Sequence, residues 1–263
     1  FSCIASKIWN RNFEKDNQMK AMIFAAGLGT RLKPLTDVMP KALVEVNGKP
    51  LLQLVIEKMK AEGFDEIIVN VHHFAEKIID FLDANNRFDI RIEISNERES
   101  LLDTGGGIKK ASWFFDDGKP FLIYNVDILS NIRLRELYEH HLNQKNLATL
   151  VCSERKSSRY LLFDRENALK GWINEKTGET KSPLTDFHPE AYQKLAFSGI
   201  HVLDTSVFSY MKDFPEKFSI IDFYLSICDQ TVIKSYVPKH LELLDVGKLD
   251  ALQKANEFIE KIK

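Results

Sequence analysis

The sequence predicts an α/β fold: a mixed, mainly parallel sheet with helices on both faces, and a smaller second lobe. Up to about residue 151, β-branched apolar runs alternate with amphipathic helical stretches, the pattern of strands joined by crossover helices. Beyond that point short strands flank polar turns, as in an antiparallel lobe laid against the first half. A glycine-rich turn closes the first apolar run, and in parallel sheets ligands collect at the carboxyl ends of strands.

The elements follow in order. Met22-Ile23-Phe24 reads as a buried first strand and residues 43–46 as a brief extended piece. Pro50 opens a helix at a favoured first position, Leu51, Leu52, Val55, Ile56 and Met59 give it an apolar face, and Gly63 sits where it stops. Residues 67–71 are a β-branched run, hence a buried strand. A helix over 75–84 turns Ile78, Ile79 and Leu82 inward. Ile90, Ile92 and Ile94 alternate with Arg91 and Glu93, so that strand is half exposed. Thr104-Gly105-Gly106-Gly107 leads into a helix through Ala111, and residues 121–124 form a strand ending at Asn125-Val126-Asp127. A helix near 132–142 and a strand near 148–151 continue the core. Residues 160–163 and 169–173 pair around the turn 164–167. A strand over 196–202, helices near 205–211 and 220–228, and a strand over 232–237 follow. Residues 241–244 lead to Asp245-Val246-Gly247 and a final helix carrying Leu249, Leu252 and Ile259.

The chain has 263 residues, enough for one large core with a small appendage. Its 44% hydrophobic and 28% charged content is that of an ordinary globular protein. A net charge of −2 offers no electrostatic footprint for nucleic acid, and no apolar run is long enough to span a bilayer. Cys3, Cys152 and Cys228 are too few and too scattered for a disulfide framework or a zinc site, so a reducing, cytoplasmic setting is expected. Residues 1–18 mix polar and aromatic residues without a period and lack a signal-peptide core. They are read as an extension, leaving 19–263 as the folded domain. No hexapeptide repeat announces a β-helix.

The chemistry concentrates in Ala25-Ala26-Gly27-Leu28-Gly29-Thr30-Arg31-Leu32-Lys33-Pro34-Leu35-Thr36, closed by Pro40-Lys41-Ala42-Leu43. Glycines after a strand let the backbone turn sharply and present several N–H groups to phosphate oxygens. Arg31 adds a planar charged fork and Lys41 a point charge on a long stem. The P-loop string Gly-x-x-x-x-Gly-Lys-Ser/Thr is absent, and Leu32 stands where the dinucleotide fingerprint needs a small residue. Asp127, directly after a buried strand, is the first candidate carboxylate ligand for a hard divalent cation, which favours one or two carboxylates; Asp245, in Leu-Asp-Val-Gly, is the second. An Asp at a strand end also serves as a helix cap or turn former. Three consecutive glycines weaken a helix, so Gly105, Gly106 and Gly107 read better as a close backbone approach to a flat ligand. His72-His73 and His140-His141 are adjacent pairs that do not share a face and lack zinc spacing.

Gly27 to Thr36, Pro40 to Leu43 and Lys49-Pro50 match position by position the signature of the sugar-1-phosphate nucleotidyltransferases, which the chain resembles from residue 20 to its end. Within that family the chain looks most like short N-acetylmuramate-1-phosphate uridylyltransferases and mannose-1-phosphate guanylyltransferases. The resemblance implies a Rossmann-like core with a smaller sugar-binding lobe, and transfer of a nucleotidyl group from an NTP to a sugar-1-phosphate with Mg²⁺. It implies that Ala26, Gly27, Gly29 and Thr30 hold phosphates and that Gly105, Gly106 and Gly107 lie along the base. Arg31 and Lys41 would be catalytic, Asn125 and Gly199 would meet the sugar, and Asp127 and Asp245 would hold the metal. Val126 and Lys248 depart from the family's usual Gly and Thr, and Thr177 breaks the Glu-Lys-Pro string that would bring Lys176 to the sugar phosphate. Two alternatives stay open: a phosphocholine cytidylyltransferase, and a non-catalytic nucleotide-sugar sensor, against which the presence of both cations and both aspartates counts.

Overall fold

A computed structural model describes residues 18–262. The expected N-terminal extension therefore lies outside the described residues, except for Gln18. The first half alternates strand and helix: β1 (Met19–Phe24), β2 (Glu45–Val46), β3 (Lys49–Pro50), α1 (Leu51–Ala61), β4 (Phe64–Val71), α2 (Ala75–Ala84), β5 (Arg91–Asn96), α3 (Asp103–Lys110), β6 (Phe121–Asn125), β7 (Ile128–Ser130), α4 (Leu134–Leu142) and β8 (Ala148–Ser153). Then come β9 (Arg159–Phe163), β10 (Leu169–Asn174), β11 (Thr180–Lys181), β12 (Gln193–Leu203), α5 (Val207–Met211), α6 (Ile220–Ile227), β13 (Ile233–Tyr236), β14 (Leu243–Asp245) and α7 (Leu249–Ile262).

One sheet runs in the order β11-β10-β9-β12-β6-β1-β4-β5, with β8 paired to β12 and to β13. The pairs of β1 with β4 and β6, and of β4 with β5, are parallel. β12 turns the sheet antiparallel against β6, β8 and β9, and β9-β10-β11 continue so. The mixed sheet and its second lobe match the sequence expectation. β7 and β11 were not foreseen, each too short to show a period.

Strand side chains alternate between faces, and both faces here are apolar. Ala21, Ile23, Ile67, Val69, Leu122 and Tyr124 join one core with α1, α2, α4 and α7. Met22, Ile68, Phe121 and Ile123 join the other with α3, α5 and α6. That two-sided burial explains why β1, β4 and β6 read as continuous apolar runs. Gly63 adopts φ 89° just past α1, which suits a residue without Cβ. Cys152 and Cys228 are free and buried. No described helix is long and apolar enough to cross a membrane.

His201, inside β12, is 2% exposed, and neither ring nitrogen has a partner; burial pushes its pKa down to about 3. Burial likewise pushes His141 down to about 4. In the unfolded chain both rings take protons near pH 6.5. As pH falls below that value the unfolded state binds protons that the folded state refuses, so stability declines, by up to about 1.4 kcal/mol per pH unit for each ring. Urea unfolding of wild type between pH 6.5 and 5 is expected to show this loss. His201→Phe should remove its own share, and an unchanged slope would contradict the assignment.

Candidate active site

The parallel strands end on one edge, and the segments there line a cavity of about 450 Å³. Phe24 to Gly27 enter it from β1, Asn70 from β4, Glu97 and Leu101 from beyond β5, and Asn125 to Asp127 from the end of β6; Lys41, Asp103, Thr104 and Lys217 complete it. This volume is that of an ordinary small-molecule pocket.

The glycine loop is held at both ends. Leu32 is fully buried and anchors it in the core. Gly29 adopts φ 62°, and a Cβ there would stand 2.8 Å from Thr36 Cγ2 and 3.0 Å from Lys41 Cβ. Both the backbone sign and the contact therefore demand glycine. Thr36 Oγ1 donates to Gly29 O at 2.9 Å, so the Thr-Arg, Pro-Leu-Thr and Pro-Lys parts of the signature fold into one knot. Gly27 is exposed, with open space where its Cβ would be. Asn70 Oδ1 accepts the N–H groups of Ala25 (2.7 Å) and Ala26 (3.2 Å). The Ala26 N–H, expected to face a phosphate, is thus already occupied. Among the described residues, the N–H groups of Gly27, Leu28 and Gly29 have no acceptor.

Lys41 is 9% exposed, and its Nζ is bonded to the Asp127 carboxylate. Asp245 is brought to the neighbouring segment by a route that local sequence does not announce. β14 pairs antiparallel with β7, setting Asp245 opposite Ile128, and Val246 N donates to Asp127 O at 2.8 Å. Gly247 is buried there: a Cβ on it would lie 2.7 Å from Asp245 Oδ1 and 2.8 Å from Arg31 Nη2. Arg31 and Asp245 line a second cavity of about 850 Å³, with Arg155, Arg159, Trp172, Lys176 and Lys181 of the second lobe. The Val246–Asp127 backbone bond ties the residue after Asp245, which lines the second cavity, to Asp127, which lines the first.

The glycine triplet behaves differently from its sequence reading. Gly105, Gly106 and Gly107 are buried in the first turns of α3, and what approaches them is the chain itself. A Cβ on Gly105 would collide with the Phe218 ring, one on Gly106 with the Glu216 carbonyl, and one on Gly107 would lie 2.9 Å from Glu97 Oε1. Gly105 N and Gly106 N both donate to Phe218 O, at 2.9 and 3.2 Å. The glycines thus admit the segment before α6, and Leu101, Asp103 and Thr104 take their place along the cavity. Gly199, expected to lie under a sugar, adopts φ 73°, and the Asn125 amide covers it, Nδ2 lying 2.5 Å from a Cβ position. Asn125 faces the first cavity; Gly199 lines neither. Thr30 is exposed beside Arg31. His72 Nδ1 sits 2.7 Å from Glu97 O. Asn70, Glu97, Arg155, Arg159 and Lys217 were missed. A polar Asn in the apolar run 67–71 was the one available signal.

The nucleotidyl transferase family model matches residues 20–262, and the chain belongs to that family. It is 28% identical over 246 residues to UTP–glucose-1-phosphate uridylyltransferase of Synechocystis sp., covering 88% of this chain and 61% of that protein. It is 45% identical over 109 residues to N-acetylmuramate alpha-1-phosphate uridylyltransferase of Caulobacter vibrioides, covering 41% of this chain and 45% of the relative. These matches span less than two thirds of either relative's length. The fold is that of a UDP-glucose pyrophosphorylase solved with UDP-glucose, at TM-score 0.73 and 17% identity, covering 94% of this chain and all of that one.

Gly106→Ala is expected to lower stability by about 1–3 kcal/mol, as overpacking does, because a carbonyl of the docked segment has to move. Thermal unfolding reads this, and an unchanged midpoint would mean that the segment is not docked as described.

Proposed function

We propose that the chain transfers a nucleotidyl group from an NTP to a sugar-1-phosphate, releasing pyrophosphate with Mg²⁺ bound. The observation that supports this is the placing of four charged side chains on two cavities: Lys41 and Asp127 line one at the sheet edge, Arg31 and Asp245 line the other, and the Val246–Asp127 backbone bond ties the second pair's strand to the first. The nucleophile, a phosphate oxygen, is already an anion, so no strong base is needed. The obstacle is the approach of two polyanions, and positioning with charge neutralisation is what lowers it.

In this reading the free N–H groups of the Gly27–Gly29 turn and the Arg31 guanidinium hold the triphosphate. Lys41 leaves Asp127 to neutralise charge developing at the α-phosphate. Asp127 and Asp245 suit Mg²⁺: both are hard oxygen donors, Asp245 ends β14, and Asp127 directly precedes β7, the strand that β14 pairs with. Mg²⁺ typically takes only one or two carboxylates from a protein. When bound, the ion neutralises phosphate charge. The base lies toward Leu101, Asp103 and Thr104, and the sugar phosphate in the second cavity. Arg159 and Lys176 line that cavity without an ion-pair partner among the described residues. Spare cations there favour a sugar with a further anionic group, such as N-acetylmuramate-1-phosphate, and the likeness to an N-acetylmuramate alpha-1-phosphate uridylyltransferase makes UTP the preferred partner. A cytoplasmic setting accords with the free, buried thiols.

A matrix of five NTPs against sugar-1-phosphates and phosphocholine, read as pyrophosphate release, tests the reading. Turnover with UTP and an anionic sugar phosphate is expected, and turnover with phosphocholine alone, or with nothing, overturns it. Asp127→Asn should abolish turnover with the fold intact; retained activity would remove the metal assignment. Lys41→Ala should lower kcat by about 10²–10³-fold with little change in KM for the NTP. A change in KM alone would make Lys41 a binding residue.

A further inference from the structure

We propose that Asn70 and Glu97 form a buried bracket that fixes the phosphate loop relative to the base end of the same cavity. They act as positioning residues for the NTP, a role that rests on the nucleotide reading above.

Asn70 is 1% exposed and Glu97 is fully buried. Asn70 uses both ends of its amide. Oδ1 holds the Ala25 and Ala26 N–H groups, and Nδ2 donates to Glu97 Oε1 at 2.8 Å. Glu97 Oε2 accepts the Leu102 N–H at 3.2 Å, one residue before α3. The chain of bonds runs from the start of the glycine loop, across two strand ends, to the segment that lines the base end. Gly107 leaves room for it, since a Cβ there would stand 2.9 Å from Glu97 Oε1 and 3.3 Å from Asn70 Nδ2. The cost of a buried carboxylate would be pointless for packing alone, where an apolar pair would do as well. Burial raises the Glu97 pKa, against the Asn70 and Leu102 bonds that lower it; Lys110 and His72 are the charged or titratable groups that act on it.

The consequence concerns which donors are free. With Ala25 and Ala26 turned toward Asn70, the next three N–H groups are left for the ligand. Without the bracket the loop's first residues lose their acceptor, and the turn is no longer set against Leu101–Thr104. A ligand that touches both ends would then bind a site that first has to be ordered.

The polarity of the bracket gives a test. Asn70→Asp keeps an acceptor for Ala25 and Ala26 but sets two carboxylates face to face, a clash that one shared proton relieves. Glu97→Gln alone leaves a donor against either Asn70 Nδ2 or the Leu102 N–H. Asn70→Asp with Glu97→Gln restores every bond with the direction of one reversed: the amide introduced at position 97 donates to the carboxylate introduced at position 70, and its oxygen accepts the Leu102 N–H. Binding of each of the five NTPs with Mg²⁺ is measured by calorimetry for wild type and the three variants at pH 6 and pH 8, with melting temperatures as the fold control. For the NTP that wild type binds, each single variant should weaken binding about tenfold or more at pH 8, the size of one buried bond to a charged group. The Asn70→Asp deficit should shrink at pH 6. The double variant should return to within about threefold of wild type at both pH values, and KM for the sugar phosphate should stay unchanged in all. Singles that bind like wild type, or a double variant no better than its parents, would overturn the bracket. If Asn70→Asp does not fold, Glu97→Gln against the double variant decides alone. Wild type that binds none of the five NTPs would instead overturn the nucleotide reading, and the bracket's role with it.

Discussion

The site depends on the parallel pairing of β1 between β4 and β6. In that register Phe24 stands opposite both Asn70 and Asn125, so three strands end level. The glycine loop therefore leaves the sheet flanked by Asn70 on one side and by Asn125-Val126-Asp127 on the other. A slip of one residue would turn every side chain to the opposite face. The register is held against this by burial on both faces of the sheet.

Charge is organised around that edge in two couples. Lys41 is bonded to Asp127, and Arg31 and Asp245 flank the empty side of Gly247. Each couple carries no net charge, so the folded chain does not strain against itself before a ligand arrives. In the proposed reaction a polyphosphate would draw the cations, and the carboxylates so released would be free to hold a divalent ion. An ion pair at a partly buried site gains from low dielectric but also bears a desolvation cost. A partner that can be traded for substrate charge serves better there than an apolar lining.

Glycine illustrates how far local reading goes. At Gly29 the signature and the geometry agree, because φ and the contact with Thr36 and Lys41 are both local consequences of the turn. At Gly105–Gly107 composition signalled a close approach but not the approaching group. Phe218 and Glu216 lie more than a hundred residues downstream, and nothing near the triplet names them. Gly199 is a similar case, its space taken by Asn125 from the neighbouring β6. The sequence marks that a side chain has no room, while the fold decides what fills the gap.

The order of strands and helices, the signature loop and the two aspartates as ligand candidates were all legible in the chain, because each rests on periodicity, burial or contiguous residues. The tertiary structure alone decided that Asp245 stands beside Asp127, through a strand of three residues, Ile128–Ser130, too short to show a pattern. It alone placed Asn70 and Glu97 behind the loop and aligned the second lobe's cations with Arg31. These are contacts between residues far apart in sequence. Their energy comes from packing and from satisfying buried polar groups, terms that exist only once the strands have met.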